Sequence, residues 1–342
     1  MNMKRKFTLF ALCALMLMLV LSACGGGAAE SQPPQEDESP AVSQNAATTE
    51  APDEPEETPE APALPTVDPS GAAISIPENV DSVVVLAPSI AETMVALGLE
   101  DKIVGYDTQS IGLDGLPSDV PTFDIQNPDV EQLVALAPDV LLLSGLAFQG
   151  EETPYQPLLD AGICVICVPT SQSIDGVKSD IQFLAAAFGA NEAGEKVLDD
   201  LNAELDRLAA ITASIPEEER KTVYFEISAA PYMYSTGSGT YLDEMIQLAG
   251  GVNVLADQTS WISVEGESIV AANPDVIFTN VNYIDDPVGE ILSRDGWAGV
   301  TAVANKAVYS VDNMASSLPN QNIVVALRQM VEALYPEYYN AA

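Results

Sequence analysis

The stretch Asn127–Leu141, NPDVEQLVALAPDVL, returns without gaps as Ser263–Ile277, SVEGESIVAANPDVI. Each copy predicts the same unit: a capped helix start, a short amphipathic helix, a Pro-Asp pair and then a buried strand. A looser echo pairs ETMVALG at 92–98 with EMIQLAGG at 244–251. Because the two matches occur in the same order along the chain, they predict two similar α/β lobes.

Strand-like and helical segments alternate through the rest of residues 72–342. Runs of β-branched and other apolar residues predict six short buried strands. These runs are Ser82–Ala87, Val140–Leu143, Cys164–Val168, Val223–Ile227, Val276–Thr279 and Val308–Val311. Strand-helix alternation indicates parallel sheets with helices on both faces. The predicted fold class is therefore α/β, with two Rossmann-like lobes.

One helical pattern is much longer than the others. It covers 191–215, ends before Pro216, and carries apolar residues at helical spacing. They are Val197, Leu201, Leu205, Leu208 and Ile211. Strand-helix units lie on both sides of it, so we predict a single helix that joins an N-terminal lobe, 72–190, to a C-terminal lobe, 216–342.

The N-terminus has the composition of an export signal. A basic start at Lys4–Lys6 is followed by an apolar run, Phe7–Leu21, and by small residues before Cys24. The run is shorter than the roughly 20 residues that span a bilayer. The ending Leu-Ser-Ala-Cys resembles the lipobox of bacterial lipoproteins, which implies a signal peptide over 1–23 and lipid attachment at Cys24. An uncleaved transmembrane anchor is the alternative.

Residues 24–71 are rich in Ala, Pro, Glu, Ser and Thr, and no aromatic or basic residue occurs from residue 25 to residue 70. Such a segment cannot bury enough apolar surface to offset the entropy of ordering. We therefore predict a disordered acidic linker that acts as a tether between the membrane and the folded lobes.

The overall charge and composition exclude several functions. Removing residues 1–23 takes away three of the 12 basic residues and none of the 51 acidic ones, which leaves a net charge of −42. This balance argues against nucleic acid and anionic lipid surfaces. The chain has no histidine, which excludes Ser-His-Asp and Cys-His catalysis and every His-ligated metal site. We predict no catalytic residues, no metal site and no cofactor.

Cys164 and Cys167 form a CxxC spacing that could indicate a redox pair. The spacing falls within a predicted buried strand, where residues three apart point to opposite faces. We interpret both as small core residues.

Ligands of open α/β sheets bind outside the carboxyl ends of the strands. The segments expected there contain no Lys or Arg and are rich in aromatic residues, of which we expect about half to belong to the lobe cores. The candidate ligand-binding residues are Tyr106, Phe123, Phe148, Tyr155, Tyr232, Tyr234, Trp261 and Tyr283. An aromatic cleft without basic groups suits a large, partly apolar ligand that is not strongly anionic.

Two long segments resemble a known family. VVLAPSIAETMVALGLEDKIVGY at 84–106 and TGSGTYLDEMIQLAGGVNVLAD at 236–257 are similar to class III substrate-binding lipoproteins of ABC importers for iron-siderophores, haem and cobalamin. The resemblance implies two lobes joined by one helix and one permease-docking carboxylate per lobe. Glu131 and Glu267 match those positions and are also equivalent in the internal repeat. The alternative for this pair is a favourable contact with the positive end of a helix.

These observations predict a lipid-anchored protein on the extracytoplasmic face of the cell membrane, or in the periplasm of a cell with two membranes. We expect a monomer that captures a metal chelate, cobalamin or a ferric siderophore, and delivers it to an ABC permease dimer. Trp261 falls where the cobalamin binder of the family also has a tryptophan. A surface sensor or adhesion lipoprotein of the same fold, without a permease, is one alternative. A surface hydrolase, whose general base would have to be a carboxylate, is another.

Overall fold

The structure, a computed structural model, describes residues 63–145 and 155–341. The predicted signal peptide, Cys24, most of the predicted linker and Phe148 lie outside the described residues. Within the described ranges, no helix is both long enough and apolar enough to cross a membrane.

The N-terminal lobe is built on a five-stranded parallel sheet with the order β3-β2-β1-β4-β5. Its elements are β1 (Val83–Leu86), α1 (Pro88–Ala96), β2 (Ile103–Asp107), β3 (Thr122–Phe123), α2 (Val130–Leu136), β4 (Val140–Leu143), α3 (Gln156–Asp160), β5 (Cys164–Cys167) and α4 (Ile174–Ala187). Side chains of β1 and β4 alternate between two apolar clusters, one on each face of the sheet. This alternation buries both faces, as expected for a parallel sheet covered by helices.

The C-terminal lobe is built on a four-stranded parallel sheet with the order β11-β10-β6-β8. After α5 (Asn191–Ala213), its elements are β6 (Thr222–Glu226), β7 (Tyr234–Thr236), α6 (Tyr241–Leu248), β8 (Val252–Asn253), β9 (Trp261–Ser263), α7 (Gly266–Ala272), β10 (Val276–Thr279), α8 (Pro287–Ser293), α9 (Thr301–Ala304), β11 (Val308–Ser310), α10 (Asn313–Ser317), α11 (Ile323–Leu334) and α12 (Pro336–Tyr339). An antiparallel pair, β7 and β9, lies outside the main sheet. The predicted α/β class with two parallel-sheet lobes is confirmed.

The long helix α5 is the single long connection between the two lobes. It ends at Ala213, two residues before the predicted end. It packs closely on α4, since a Cβ atom on Gly194 would lie 2.5 Å from Cβ of Ala185. Its apolar residues, together with those of the first half of α4, belong to a core cluster of the C-terminal lobe, whereas the end of α4 packs in the N-terminal lobe. The α4–α5 pair therefore ties the two lobes together.

The folded part begins earlier than predicted. Asp68, inside the predicted linker, is buried and accepts a hydrogen bond from the backbone nitrogen of Cys167 at 2.9 Å. Its other oxygen accepts from the backbone nitrogen of Ala72 and from the hydroxyl of Ser70. The predicted boundary at residue 71 is therefore wrong for residues 66–71, because one carboxylate fixes this segment on the edge strand β5.

Cys164 and Cys167 begin and end β5 and are free thiols. Burial raises the pKa of the Cys167 thiol to about 11. A thiol with a raised pKa is a weak nucleophile at neutral pH, so the pair behaves as core residues in this structure.

Candidate functional site

The carboxyl ends of both sheets face a cleft between the lobes. The segment after β5 brings Thr170 to it, and the ends of β6 and β10 bring Ile227 and Asn280. A cavity of about 220 Å³ lies there, mostly in the C-terminal lobe. Its lining consists of Thr170, Ile227, Tyr234, Tyr241, Leu242, Trp261, Asn280, Ser316 and Ser317.

One wall of this cavity is aromatic. Trp261 on β9 packs against Tyr241 with ring centroids 5.4 Å apart. Thr240 caps α6 by accepting from the backbone nitrogen of Asp243 at 3.1 Å, which places Tyr241 at the first helical position. The Tyr241 hydroxyl donates to the backbone oxygen of Ser316 at 3.1 Å. Both rings are thus fixed in place before any ligand arrives.

Trp261 also bridges the cleft. Its Nε1 donates to Oε1 of Gln172 in the N-terminal lobe at 2.9 Å. A second bridge nearby runs from the backbone nitrogen of Ile174 to Oε2 of Glu244, at 2.7 Å. These contacts hold the two lobes close together in this structure.

Asn280 supplies an amide to the opposite wall. Its Nδ2 donates to the hydroxyls of Ser316 and Ser317 at 2.9 and 3.0 Å. The Ser316 hydroxyl donates its own proton to the backbone oxygen of Asp312, so it accepts from Nδ2, and this fixes the orientation of the amide. Oδ1 of Asn280 is buried and has no hydrogen-bond partner among the described residues. An unsatisfied buried acceptor is costly, and a ligand that brings a donor would offset that cost.

A second cavity, of about 490 Å³, lies between α1 and the segments around α10 and α11. Three carboxylates line it: Glu92, Asp114 and Asp312. Glu92 also joins the lobes, because its Oε2 accepts from Nδ2 of Asn320 at 2.5 Å. Among the described residues, neither this cavity nor the aromatic one is lined by Lys or Arg. The cleft is therefore electronegative.

Asp180 lies on α4 behind the cleft. It lines a small void of about 10 Å³ together with Ser89, Thr93 and Pro319. The hydroxyl of Ser171 donates to its Oδ2 at 2.5 Å. Burial raises the pKa of Asp180 to about 6 and outweighs the opposite effect of this hydrogen bond.

The structure divides the predicted aromatic residues into three groups. Trp261 and Tyr234 line the aromatic cavity. Tyr232, 84 % exposed, and Tyr283 are exposed and do not line it. The Tyr283 hydroxyl accepts from the backbone nitrogen of Ala229 at 2.8 Å and holds the loop after β6.

Tyr106, Phe123 and Tyr155 are buried in the core of the N-terminal lobe, so their assignment to the cleft needs correction. Tyr106 and Phe123 lie within strands, where the alternation of faces turns their rings towards the covering helices and away from the strand ends. Phe123 packs over Gly105, whose missing Cβ would lie 2.9 Å from its ring. Tyr155 donates from its hydroxyl to the backbone oxygen of Ile125 at 3.0 Å. Phe148, the eighth candidate, is outside the described residues.

The sequence reasoning missed Thr170 and Tyr241. Thr170 follows a correctly predicted strand, and the rule that ligands bind after strand ends could have found it. Tyr241 begins α6, and no sequence signal separates it from a core tyrosine.

The two docking candidates occupy equivalent surfaces. Glu131 lies in the first turn of α2 and Glu267 in the first turn of α7, and both are exposed. Neither lines the two cleft cavities. Glu267 also borders a groove of about 510 Å³.

The sequence profile of the family described as "Periplasmic binding protein" matches residues 83–315. The chain belongs to the periplasmic binding protein family. The matched residues contain every strand of both parallel sheets and the helix between the lobes, so the predicted class III substrate-binding resemblance is confirmed at the level of the family.

Periplasmic binding proteins similar to this chain differ in the ligands for which they are named. An uncharacterized ABC transporter substrate-binding lipoprotein, YvrC of Bacillus subtilis, is 30% identical over 275 residues, which cover 80% of this chain and 85% of the relative. A cobalamin-binding protein of Halobacterium salinarum is 28% identical over 286 residues, which cover 78% of this chain and 73% of the relative. The structure of MolA of Haemophilus influenzae with bound molybdate superposes with a TM-score of 0.68 at 22% identity, over 82% of this chain and 94% of that chain.

Proposed function

We propose that this periplasmic binding protein is the lipid-anchored, extracytoplasmic substrate-binding component of an ABC importer, and that it captures a metal chelate, cobalamin or a near-neutral ferric siderophore. The observation that carries the proposal is the wall formed by Trp261 and Tyr241 in a cleft whose described lining has no basic residue. Aromatic faces bind the flat or apolar parts of a large ligand.

The charge of the cleft supports a neutral or cationic ligand over an anionic one. Molybdate, haem with its propionates and ferric catecholates are anionic and favour Arg or Lys in their sites. The lining described for this cleft instead offers carboxylates, an amide and hydroxyls. A neutral or cationic chelate that donates hydrogen bonds from amide or hydroxyl groups fits this chemistry, and Oδ1 of Asn280 is the acceptor we assign to it.

Entry of such a ligand requires the lobes to move apart. The aromatic cavity of about 220 Å³ is smaller than the pockets of roughly 300–1,000 Å³ that hold drug-sized ligands. A large chelate would therefore break the hydrogen bond between Trp261 and Gln172 and join the two cavities. We infer that the ligand replaces this bridge with its own contacts to both lobes.

Delivery would use the two exposed glutamates. We propose that Glu131 and Glu267 dock to a permease dimer, each on one half, because they occupy the same position of the repeated unit in opposite lobes. The lipid on Cys24 and the acidic linker would keep the protein close to that permease, in the same membrane. Exchange of Cys24 for Ser should release the protein into the medium or periplasm and abolish labelling by a palmitate analogue; retained labelling would contradict the anchor.

The proposal is tested by thermal-shift screening of the folded lobes against cyanocobalamin, the hydroxamate chelate ferrioxamine B, haemin and molybdate. A ligand that binds only the folded state raises the melting temperature by mass action. We expect a shift with cyanocobalamin or ferrioxamine B and none with molybdate. A shift with molybdate alone would replace the proposed ligand class with an oxyanion.

A further inference from the structure

The groove beside Glu267 has no counterpart in the sequence-based expectations. It lies between the start of α7, the loop after β6 and the segment after α8, and it measures about 510 Å³. Its apolar walls come from Pro231, Met233, Val264, Val270 and Trp297. Tyr232, the most exposed large apolar residue described, extends from the same loop as Pro231 and Met233.

A glycine opens this groove. In the internal repeat, Gly266 of the second copy stands where the first copy has Val130. A Cβ atom on Gly266 would lie 3.5 Å from Nε1 of Trp297. A valine at this position would therefore cover the indole edge, and its absence leaves that edge open to the groove.

The indole of Trp297 presents an unused donor. The side chain is only 3 % exposed, and its ring is fixed by the Arg294 guanidinium, 4.5 Å from the ring centroid, and by the edge of Tyr224 at 6.3 Å. No hydrogen bond joins its Nε1 to another described residue, whereas Nε1 of Trp261 has such a bond. Because Trp297 lines the groove, a molecule bound there can supply an acceptor to this donor.

The charge at the groove is negative. Glu265, Glu267 and Asp295 line it and are exposed. Arg294, the cation in its lining, is already paired: its two terminal nitrogens donate to the buried Glu226 at 2.7 and 2.9 Å, and one of them also contacts Glu290. Electrostatic complementarity at this groove therefore favours a partner that brings positive charge over an acidic one.

We propose that this groove receives an extracytoplasmic segment of the permease that carries a basic side chain beside an apolar one. The basic group pairs with Glu267 and its acidic neighbours, the apolar group covers Val270 and Pro231, and a backbone carbonyl accepts from Nε1 of Trp297. This inference rests on the proposed function, in which Glu267 docks to a permease. It adds that the C-terminal lobe recognises the permease by the shape of the groove and by a hydrogen bond as well as by the charge of Glu267.

The test measures the affinity of the full-length protein for its permease complex reconstituted in nanodiscs. That complex is identified as the one whose deletion abolishes uptake of the chelate in the source organism. Gly266→Val fills the groove without changing charge, and its backbone has no positive φ to strain. Gly299→Val is the matched control, since a side chain there meets no atom within 4 Å and lies outside the groove. We expect Gly266→Val to weaken permease binding at least about tenfold, and Gly299→Val to stay within about twofold of wild type.

A second pair of variants tests the groove independently, in case Gly266→Val destabilises the protein. Val270→Lys places a cation at an exposed position of the groove, and Val252→Lys does the same at an exposed valine of the same lobe outside it. The proposed role of the groove would be wrong if Gly266→Val and Val270→Lys both bound the permease with wild-type affinity while Glu131→Lys/Glu267→Lys did not bind. The proposed function would still hold in that case. Failure of the wild-type protein to bind the permease would instead overturn the proposed function itself.

Discussion

The two copies of the repeated unit share one anchoring carboxylate but differ at the helix start that both were predicted to have: Asp129 caps α2 by accepting from the backbone nitrogen of Gln132, whereas the side chain of Glu265 makes no capping hydrogen bond to α7. In the first copy, Oδ2 of Asp139 accepts from the backbone nitrogen and the hydroxyl of Ser82, and in the second copy Asp275 does the same with Thr222. Both helices end in a left-handed residue, Ala137 with φ 48° and Asn273 with φ 50°. This frame, made of the Pro-Asp pair and the end of the helix, is therefore the same in both lobes.

The difference between the lobes lies in what surrounds that frame. The C-terminal lobe supplies nearly the whole lining of the aromatic cavity, to which the N-terminal lobe adds Thr170. It also has a glycine where the N-terminal lobe has a valine, and a groove beside its glutamate. We therefore propose that the C-terminal lobe makes the more specific contacts with the ligand and with the permease.

Charge reversal of the docking pair should have the largest effect. Glu131→Lys/Glu267→Lys is expected to reduce chelate uptake by cells to background, because like charges would face the proposed basic pockets of the permease. Glu267→Lys alone should cost more than Glu131→Lys, since only Glu267 borders the groove described above. Uptake of the labelled chelate measures this, while titration of the purified variants should show unchanged chelate affinity. Glu217→Lys/Glu332→Lys, which reverses two exposed charges elsewhere, is the control.

Truncation of the aromatic wall should have the next largest effect. Trp261→Ala is expected to weaken chelate binding at least about tenfold, or about 1.4 kcal/mol, because it removes the ring surface that packs beside Tyr241 in the cavity wall. Tyr232→Ala, at an exposed aromatic outside the cavity, should stay within about twofold. Isothermal titration separates the two variants, and equal losses in both would place the ligand outside this cavity.

The repeat, the main strands and the long helix could be predicted from the sequence, whereas the details of the site could not. The repeat, the six predicted strands and the long helix follow local periodicity, and each of these strands is present within two residues of its predicted bounds. Short strands such as β3 and β8, of two residues each, carry too little pattern to be seen. Tyr106 and Phe123 were misplaced because a position near a strand end does not say which face a ring takes. The groove depends on Gly266 meeting Trp297, 31 positions away in the chain, which is a tertiary contact.

Removal of the shared carboxylates should destabilise both lobes. Asp139→Ala leaves two backbone nitrogens and a hydroxyl without their acceptor, and Asp275→Ala leaves one backbone nitrogen and a hydroxyl. We expect each to lower the free energy of unfolding by about 1 to 3 kcal/mol. Chemical denaturation measures both losses. A loss in only one variant would mean that the two copies are not energetically equivalent.

The smallest predicted effect is a pH dependence confined to the N-terminal lobe. Asp180 has a pKa of about 6 when folded, above the ordinary value of 3.8, so the native state binds this proton more tightly than the unfolded state. Its contribution to stability is therefore greatest below about pH 4 and is lost as the pH rises through 6. Asp180→Asn should remove this dependence and stabilise the protein at pH 7.5 by about 1 kcal/mol or more. Melting temperatures of both proteins from pH 4 to 7.5 measure the difference, and parallel curves would contradict it.

The most direct test of chelate capture in this cleft is isothermal titration of the wild-type protein and of Trp261→Ala with cyanocobalamin, ferrioxamine B, haemin and molybdate. The electronegative, aromatic cleft predicts one-to-one binding of cyanocobalamin or ferrioxamine B, weakened at least about tenfold by the substitution, and no binding of molybdate. Binding of an anionic ligand alone, or chelate binding that Trp261→Ala leaves unchanged, would contradict the account.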